Sequence, residues 1–200
     1  MATTASPYGL IPVKRVDGMP YAGATETFLI DPAGEATNIF NGQVVIIGAD
    51  GYLAISTATG ADITTNNLGG NGVGAIGVFV GCEYVNAQGQ VINAQYYPSG
   101  TTGVVTAKVI TDSNVVFQAQ LDGSGAQTVL GNNTFFAAAQ SGSTGSTRTG
   151  NSTSALDATV QTTAAAFRVV GFASPAGDAY TDVLVKFNPS AHSYLNAVGL

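Results

Sequence analysis

Apolar and polar positions alternate with a period of two in several short runs along this chain, the spacing of half-buried strands. The clearest run is Ile76 to Val85, with Ile76, Val78, Val80, Cys82 and Tyr84 on one face and Gly77, Phe79, Gly81, Glu83 and Val85 on the other. The turn signal Asn86-Ala87-Gln88-Gly89 then predicts a return strand from Val91 to Tyr97. Val44 to Ile47 and Tyr52 to Ile55 flank Gly48-Ala49-Asp50-Gly51, whose Asp-Gly suits a hairpin turn with positive φ. Thr27 to Ile30 stops at Asp31-Pro32-Ala33-Gly34. Further strands are predicted over Val104 to Thr111 and Val115 to Leu121, separated by Asp112-Ser113-Asn114, and over Phe167 to Ala173 and Tyr180 to Asn188. Many short strands at regular spacing predict an all-β chain, an antiparallel β-barrel or sandwich. Ala164-Ala165-Ala166 suits the end of a short helix beginning near Ser154.

Two segments depart from this rhythm. Residues 1–24 hold Pro7, Pro12 and Pro20 with Gly9, Gly18 and Gly23, which forbids a long helix and predicts an extended N-terminal arm. Tyr8, Leu10, Ile11, Val13, Met19 and Tyr21 make that arm too apolar for a free tail. It is expected to lie along its own domain or a neighbour, and its removal is expected to leave a soluble β-domain. The second segment is a Ser/Thr/Gly/Asn stretch over roughly 140–154, with Arg148 as its only charge, which predicts a long polar surface loop. The expected organisation is an arm (1–24), a single β-rich domain (25–188) and a C-terminal tail (189–200).

Composition narrows the function. Six Lys and Arg plus twelve Asp and Glu make 9% of the chain charged, against about a quarter in an average domain. The exposed surface must therefore consist largely of Thr, Ser, Asn, Gln, Gly and Ala, which suits a structural component packed among other subunits. A net charge of −6, with Lys14-Arg15 the only adjacent basic pair, argues against nucleic acid as a partner. Val44-Val45-Ile46-Ile47 is the longest strongly aliphatic run, far short of the roughly 18 residues of a membrane span, so no membrane partner is expected. The first ten residues show neither a basic nor an apolar leader region, so the chain is expected to stay in the compartment where it is made. Cys82 has no second cysteine to pair with and reads as an inert core thiol.

Catalytic and cofactor motifs are sparse. Gly72-Val73-Gly74-Ala75-Ile76-Gly77 fits G-x-G-x-x-G, but a dinucleotide fingerprint needs a helix after it and here a strand is predicted. His192 is the sole histidine, and no G-x-S-x-G elbow accompanies it. One His and one Cys cannot supply a zinc site without carboxylates. Asp122-Gly123-Ser124-Gly125 and Asp112-Ser113-Asn114 are too sparse for an EF-hand type calcium loop. Asp178 and Asp182 are the nearest approach to a carboxylate pair, at a loop-to-strand junction where Asp commonly serves a turn. No enzyme activity, cofactor or metal is expected.

Three segments carry a family resemblance. They are Gly77-Val78-Phe79-Val80-Gly81-Cys82-Glu83-Tyr84, the run from Ala107 to Gln120, and a C-terminal block. That block opens with Phe167-Arg168-Val169-Val170-Gly171-Phe172 and continues from Gly177 to Asn188, with His192 and Tyr194 beyond. In order and spacing, residues 76–194 resemble structural proteins of tailed double-stranded DNA bacteriophages, particularly capsid decoration or cement proteins of short-tailed phages. Pro189-Ser190-Ala191 before His192 departs from the shorter Asn-to-His spacing associated with such proteins. The resemblance implies a virion protein, made in the host cytoplasm, that binds the outer surface of the major capsid protein shell beside neighbouring copies of itself. Tyr8, Leu10, Ile11, Val13, Lys14 and Arg15 of the arm are the candidate capsid contacts. The alternatives are a tail, fibre or receptor-binding component and, further off, a hydrolase acting on glycan.

Overall fold

The computed structural model describes residues 4–57 and 74–197, and among them the chain is all β with no α-helix. The expected class holds. Among the described residues eleven strands form two sheets: β1 (Ile11–Arg15), β2 (Glu26–Ile30), β3 (Val44–Ile47), β4 (Leu53–Ile55), β5 (Gly77–Val85), β6 (Val91–Ala94), β7 (Val105–Ile110), β8 (Val115–Gln120), β9 (Asn133–Thr134), β10 (Phe167–Phe172) and β11 (Asp182–Phe187). One sheet runs β3-β4-β2-β7-β5-β6, and an added β3–β5 pairing closes its first five strands into a ring. The other is an open antiparallel sheet in the order β1-β8-β11-β10-β9.

Alternation along each strand builds two cores. Inside the ring lie Ile30, Val45, Leu53, Ile55, Phe79 and Val109, with Cys82 and Tyr97. On the outside of the ring, Val44, Val78 and Ile110 meet the inner face of the open sheet, where Phe117, Phe167, Val185 and Phe187 interlock. Phe167 and Phe187 lie 5.0 Å apart between centroids, and Phe117 meets Phe187 edge-on at 5.8 Å. One wall of the ring thus serves both cores, as a strand buried on both faces can.

Strand β5 departs from the face assignment expected of it. Its register with β7 slips between Phe79 and Gly81, leaving Val80 as an unpaired bulge residue. Phe79, Cys82 and Tyr84 consequently face the ring interior, while Val78 and Val80 pack on the side of the other core. The hairpin between β3 and β4 forms as expected, with Gly51 at φ 82 and its N–H donating to the Gly48 carbonyl at 2.9 Å. The helix expected between Ser154 and Ala166 is absent. That segment instead joins the open sheet's margin through bridges from Leu156 to Leu121 and Phe136 and from Gln161 to Asn133, with Leu156 and Ala165 buried. Burial of these side chains outweighs the helix propensity of three alanines.

The polar loop is held down by two buried amides. Gln43 accepts from the Phe40 N–H at 2.8 Å and donates to Thr144 Oγ1 at 2.8 Å and the Ser141 carbonyl at 3.1 Å. Gln140 accepts from the Val44 N–H at 3.0 Å and donates to the carbonyls of Val44 and Ser56, taking the place of a neighbouring strand.

Candidate functional site

The arm lies along its own domain. Pro12 has no N–H for a ladder, which restricts its strand to a sheet margin, and β1 is the marginal strand of the open sheet. Ile11 pairs with Gln118 and Pro12 with Phe117; the register then slips, so that Val13 is extra and Lys14 faces Val116. After β1 the chain doubles back, with the Arg15 N–H donating to the Met19 carbonyl at 2.8 Å and a bridge between Lys14 and Pro20.

The six arm residues predicted as contacts part into different environments. Leu10 is 0% exposed inside the core between the ring and the open sheet, so its side chain anchors the arm. Tyr8 is half-buried: its hydroxyl donates to Asp182 Oδ1 at 2.9 Å and accepts from Gln118 Nε2 at 2.8 Å. Burial raises the phenol pKa, the hydrogen bond from Gln118 opposes the rise, and the bond to Asp182 adds to it, so Tyr8 stays neutral. Arg15 reaches Asp112, with Nε 3.3 Å from Oδ2. Ile11 and Val13 are 47% and 41% exposed, and beside them in sequence Val16 and Met19 are 53% and 60% exposed. Lys14 is exposed as well. The result is an apolar row on a short hairpin fixed at its root by Leu10. Sequence reasoning named Ile11 and Val13 but passed over Val16, whose signal was its place next to Asp17-Gly18.

The C-terminal segment is also fastened down. Its strand-like hook on Ala75 uses the Ala75 N–H to the Ala191 carbonyl at 2.9 Å and the Ser193 N–H to the Ala75 carbonyl at 2.8 Å. His192 is buried against Phe187, with ring centroids 5.4 Å apart, and its Nδ1 accepts from the Tyr194 N–H at 3.3 Å. Burial lowers its pKa from 6.5; a hydrogen bond with the Thr111 backbone and the charge of Asp112 oppose the shift. The imidazole is a packed side chain without open access. Tyr194 itself is exposed and donates to Glu26 Oε2 at 2.9 Å. Residues 198–200 of the expected tail lie outside the described residues.

The remaining chemical candidates resolve into structural positions. Residues Gly72 and Val73 of the glycine pattern lie outside the described residues, and the pattern leads into β5, not into a helix. Asp182 is engaged by Tyr8, and Asp178 is buried with Oδ2 lacking a hydrogen-bond partner among the described residues. Cys82 sits inside the ring, where burial pushes its thiol up to about 12. Among the described residues no group of three or more His, Cys, Asp or Glu side chains is placed to hold a metal ion. No family model matches the chain, and no curated protein or solved structure is significantly similar to it.

Proposed function

We propose that this protein is a virion structural component that binds the outer surface of a capsid shell and stabilises the head. The carrying observation is the exposed apolar row Ile11, Val13, Val16 and Met19 on an edge hairpin rooted in the core by Leu10. Apolar groups kept at the surface on a pre-formed element bind without a large ordering cost, so modest contacts repeated by shell symmetry add up. The charge-poor, net acidic composition supports the outer face over one that meets packaged DNA. The resemblance of residues 76–194 to decoration proteins supports the same reading. A ligand that binds only the assembled shell stabilises it by mass action.

The test is the location and copy number of the chain in intact particles, by cryo-electron microscopy with quantitative gel staining. Copies covering the shell's outer surface, in number comparable to the coat subunits, are expected. A small ring of copies at one vertex would instead make it a tail, fibre or receptor-binding component.

A further inference from the structure

We propose that the seam where the arm crosses the ring is a binding site for a neutral saccharide. The site is a cleft of about 330 Å³. Its wall is apolar, formed by Ile11 and Pro12 of the arm and Val80 of β5, with the ring of Tyr8 beside them. Its rim carries three carboxamides, Asn41, Gln95 and Asn151. Among the described residues no charged side chain lines it.

The rim amides have hydrogen-bonding capacity to spare. The Asn41 side chain makes no hydrogen bond to a described residue, although its backbone is held by the Gly150 carbonyl at 3.0 Å and the Ser152 N–H at 2.8 Å. Gln95 Nε2 donates to Asn151 Oδ1 at 2.6 Å, which leaves Gln95 Oε1 and Asn151 Nδ2 free to pair outward. Both donors and acceptors therefore converge on one opening beside an apolar wall. That combination matches a sugar ring, which presents hydroxyls that donate and accept around its edge and C–H groups on its faces. An anion would find no cation here and a cation no carboxylate.

The cleft is also built in advance. The Val80 bulge turns that side chain out of the ring towards the arm. Tyr8 is clamped through its hydroxyl by Gln118 and Asp182. A parallel bridge ties Asn41 to Asn151. Ordering of these groups is already done, so even a few neutral hydrogen bonds yield measurable affinity. The assignment does not rest on the capsid reading, since it holds for a shell or a tail protein alike.

The experiment is calorimetric titration and saturation-transfer NMR of the intact chain with tri-N-acetylchitotriose and with maltotriose. At least one of the two is expected to bind saturably with a Kd of order 1 mM or tighter. Asn41→Ala and Asn151→Ala, with melting curves like wild type, are expected to weaken binding about five- to tenfold each, the loss of one or two neutral hydrogen bonds. Gln88→Ala, on the distant turn after β5, is expected to change nothing. Absence of saturable binding to both sugars overturns the proposal. So does binding that the Asn41→Ala, Asn151→Ala double variant leaves intact.

Discussion

Leu10→Ala separates the arm's anchoring from its docking. Leu10 is fully buried among Val44, Val78, Phe117 and Phe187, contributed by both sheets, so truncation opens a cavity that the surrounding strands cannot close. Leu→Ala at such sites costs about 2–5 kcal/mol, and about 3 kcal/mol is expected here. For a chain of this length that lowers the melting temperature by roughly 6–12 °C. The paired variant Ile11→Thr, Val13→Thr keeps β-branched residues at both positions and removes only half-exposed apolar surface. It is expected to change stability by less than about 1 kcal/mol while weakening attachment to shells. Urea unfolding followed by far-ultraviolet circular dichroism measures the first quantity, and co-sedimentation with isolated capsids the second. A cost below about 1 kcal/mol for Leu10→Ala would refute the anchoring argument. By the same logic, deletion of residues 1–20 removes a core side chain and a whole edge strand, so the soluble β-domain expected from sequence should be strongly destabilised.

Other perturbations test particular joints of the fold. Gly77→Ala places a Cβ against the Ile110 carbonyl oxygen, at the point where β5 serves both cores, and is expected to destabilise by several kcal/mol in a denaturant titration. Gln140→Leu leaves the buried Val44 N–H without its side-chain acceptor, and a cost of about 1–3 kcal/mol is expected in the same assay. His192 is held neutral, with its folded pKa below 6.5, so the unfolded chain binds the extra proton first as pH falls. Stability from this group is complete above about pH 6.5 and declines as pH drops through the window down to the folded pKa. Comparing wild type with His192→Phe between pH 7.5 and 5.5 should show a steeper loss in wild type; parallel curves would contradict the assignment.

Strand positions were legible because each buried face recurs at every second residue, and burial enforces that period. β2, β3, β7, β8, β10 and β11 lie within a residue or two of their expected bounds. Faces were harder to read where the ladder slips. The expected face from Ile76 to Val85 runs Ile76, Val78, Val80, Cys82, Tyr84 without a gap, yet the Val80 bulge reverses it midway. The one signal was Gly81, since glycine inside a strand often marks a bulge or a close backbone approach. The helix expected near residue 154 does not form because tertiary burial of Leu156 and Ala165 decides that segment, and local propensity is weak beside it. In the arm, the prolines implied extended chain, but that it forms a strand and that its partner is β8 depend on long-range packing that no local pattern encodes. The cleft was illegible for a related reason. Asn41, Gln95 and Asn151 are ordinary residues in a chain rich in amides, and only the fold brings them to one rim.

A break in the arm's alternation at Gly9, whose φ is 76, divides labour among neighbouring residues in a way that bears on both proposals. Leu10 points into the core, Tyr8 is fixed to the outer side of β8 and β11, and Ile11 and Val13 are left to solvent. Because the anchoring energy sits in Leu10, the exposed residues can be altered with little coupling to folding, as expected when two groups share few contacts. Ile11 nevertheless belongs to both the exposed apolar row and the wall of the cleft. A partner seated on the hairpin would therefore cover part of that wall. Shell attachment and saccharide binding should then compete, so adding saturating maltotriose or tri-N-acetylchitotriose, whichever binds, should release part of the protein from capsids in the co-sedimentation assay. Unchanged retention would mean that the shell meets the far side of the hairpin, at Val16 and Met19, and leaves the cleft open.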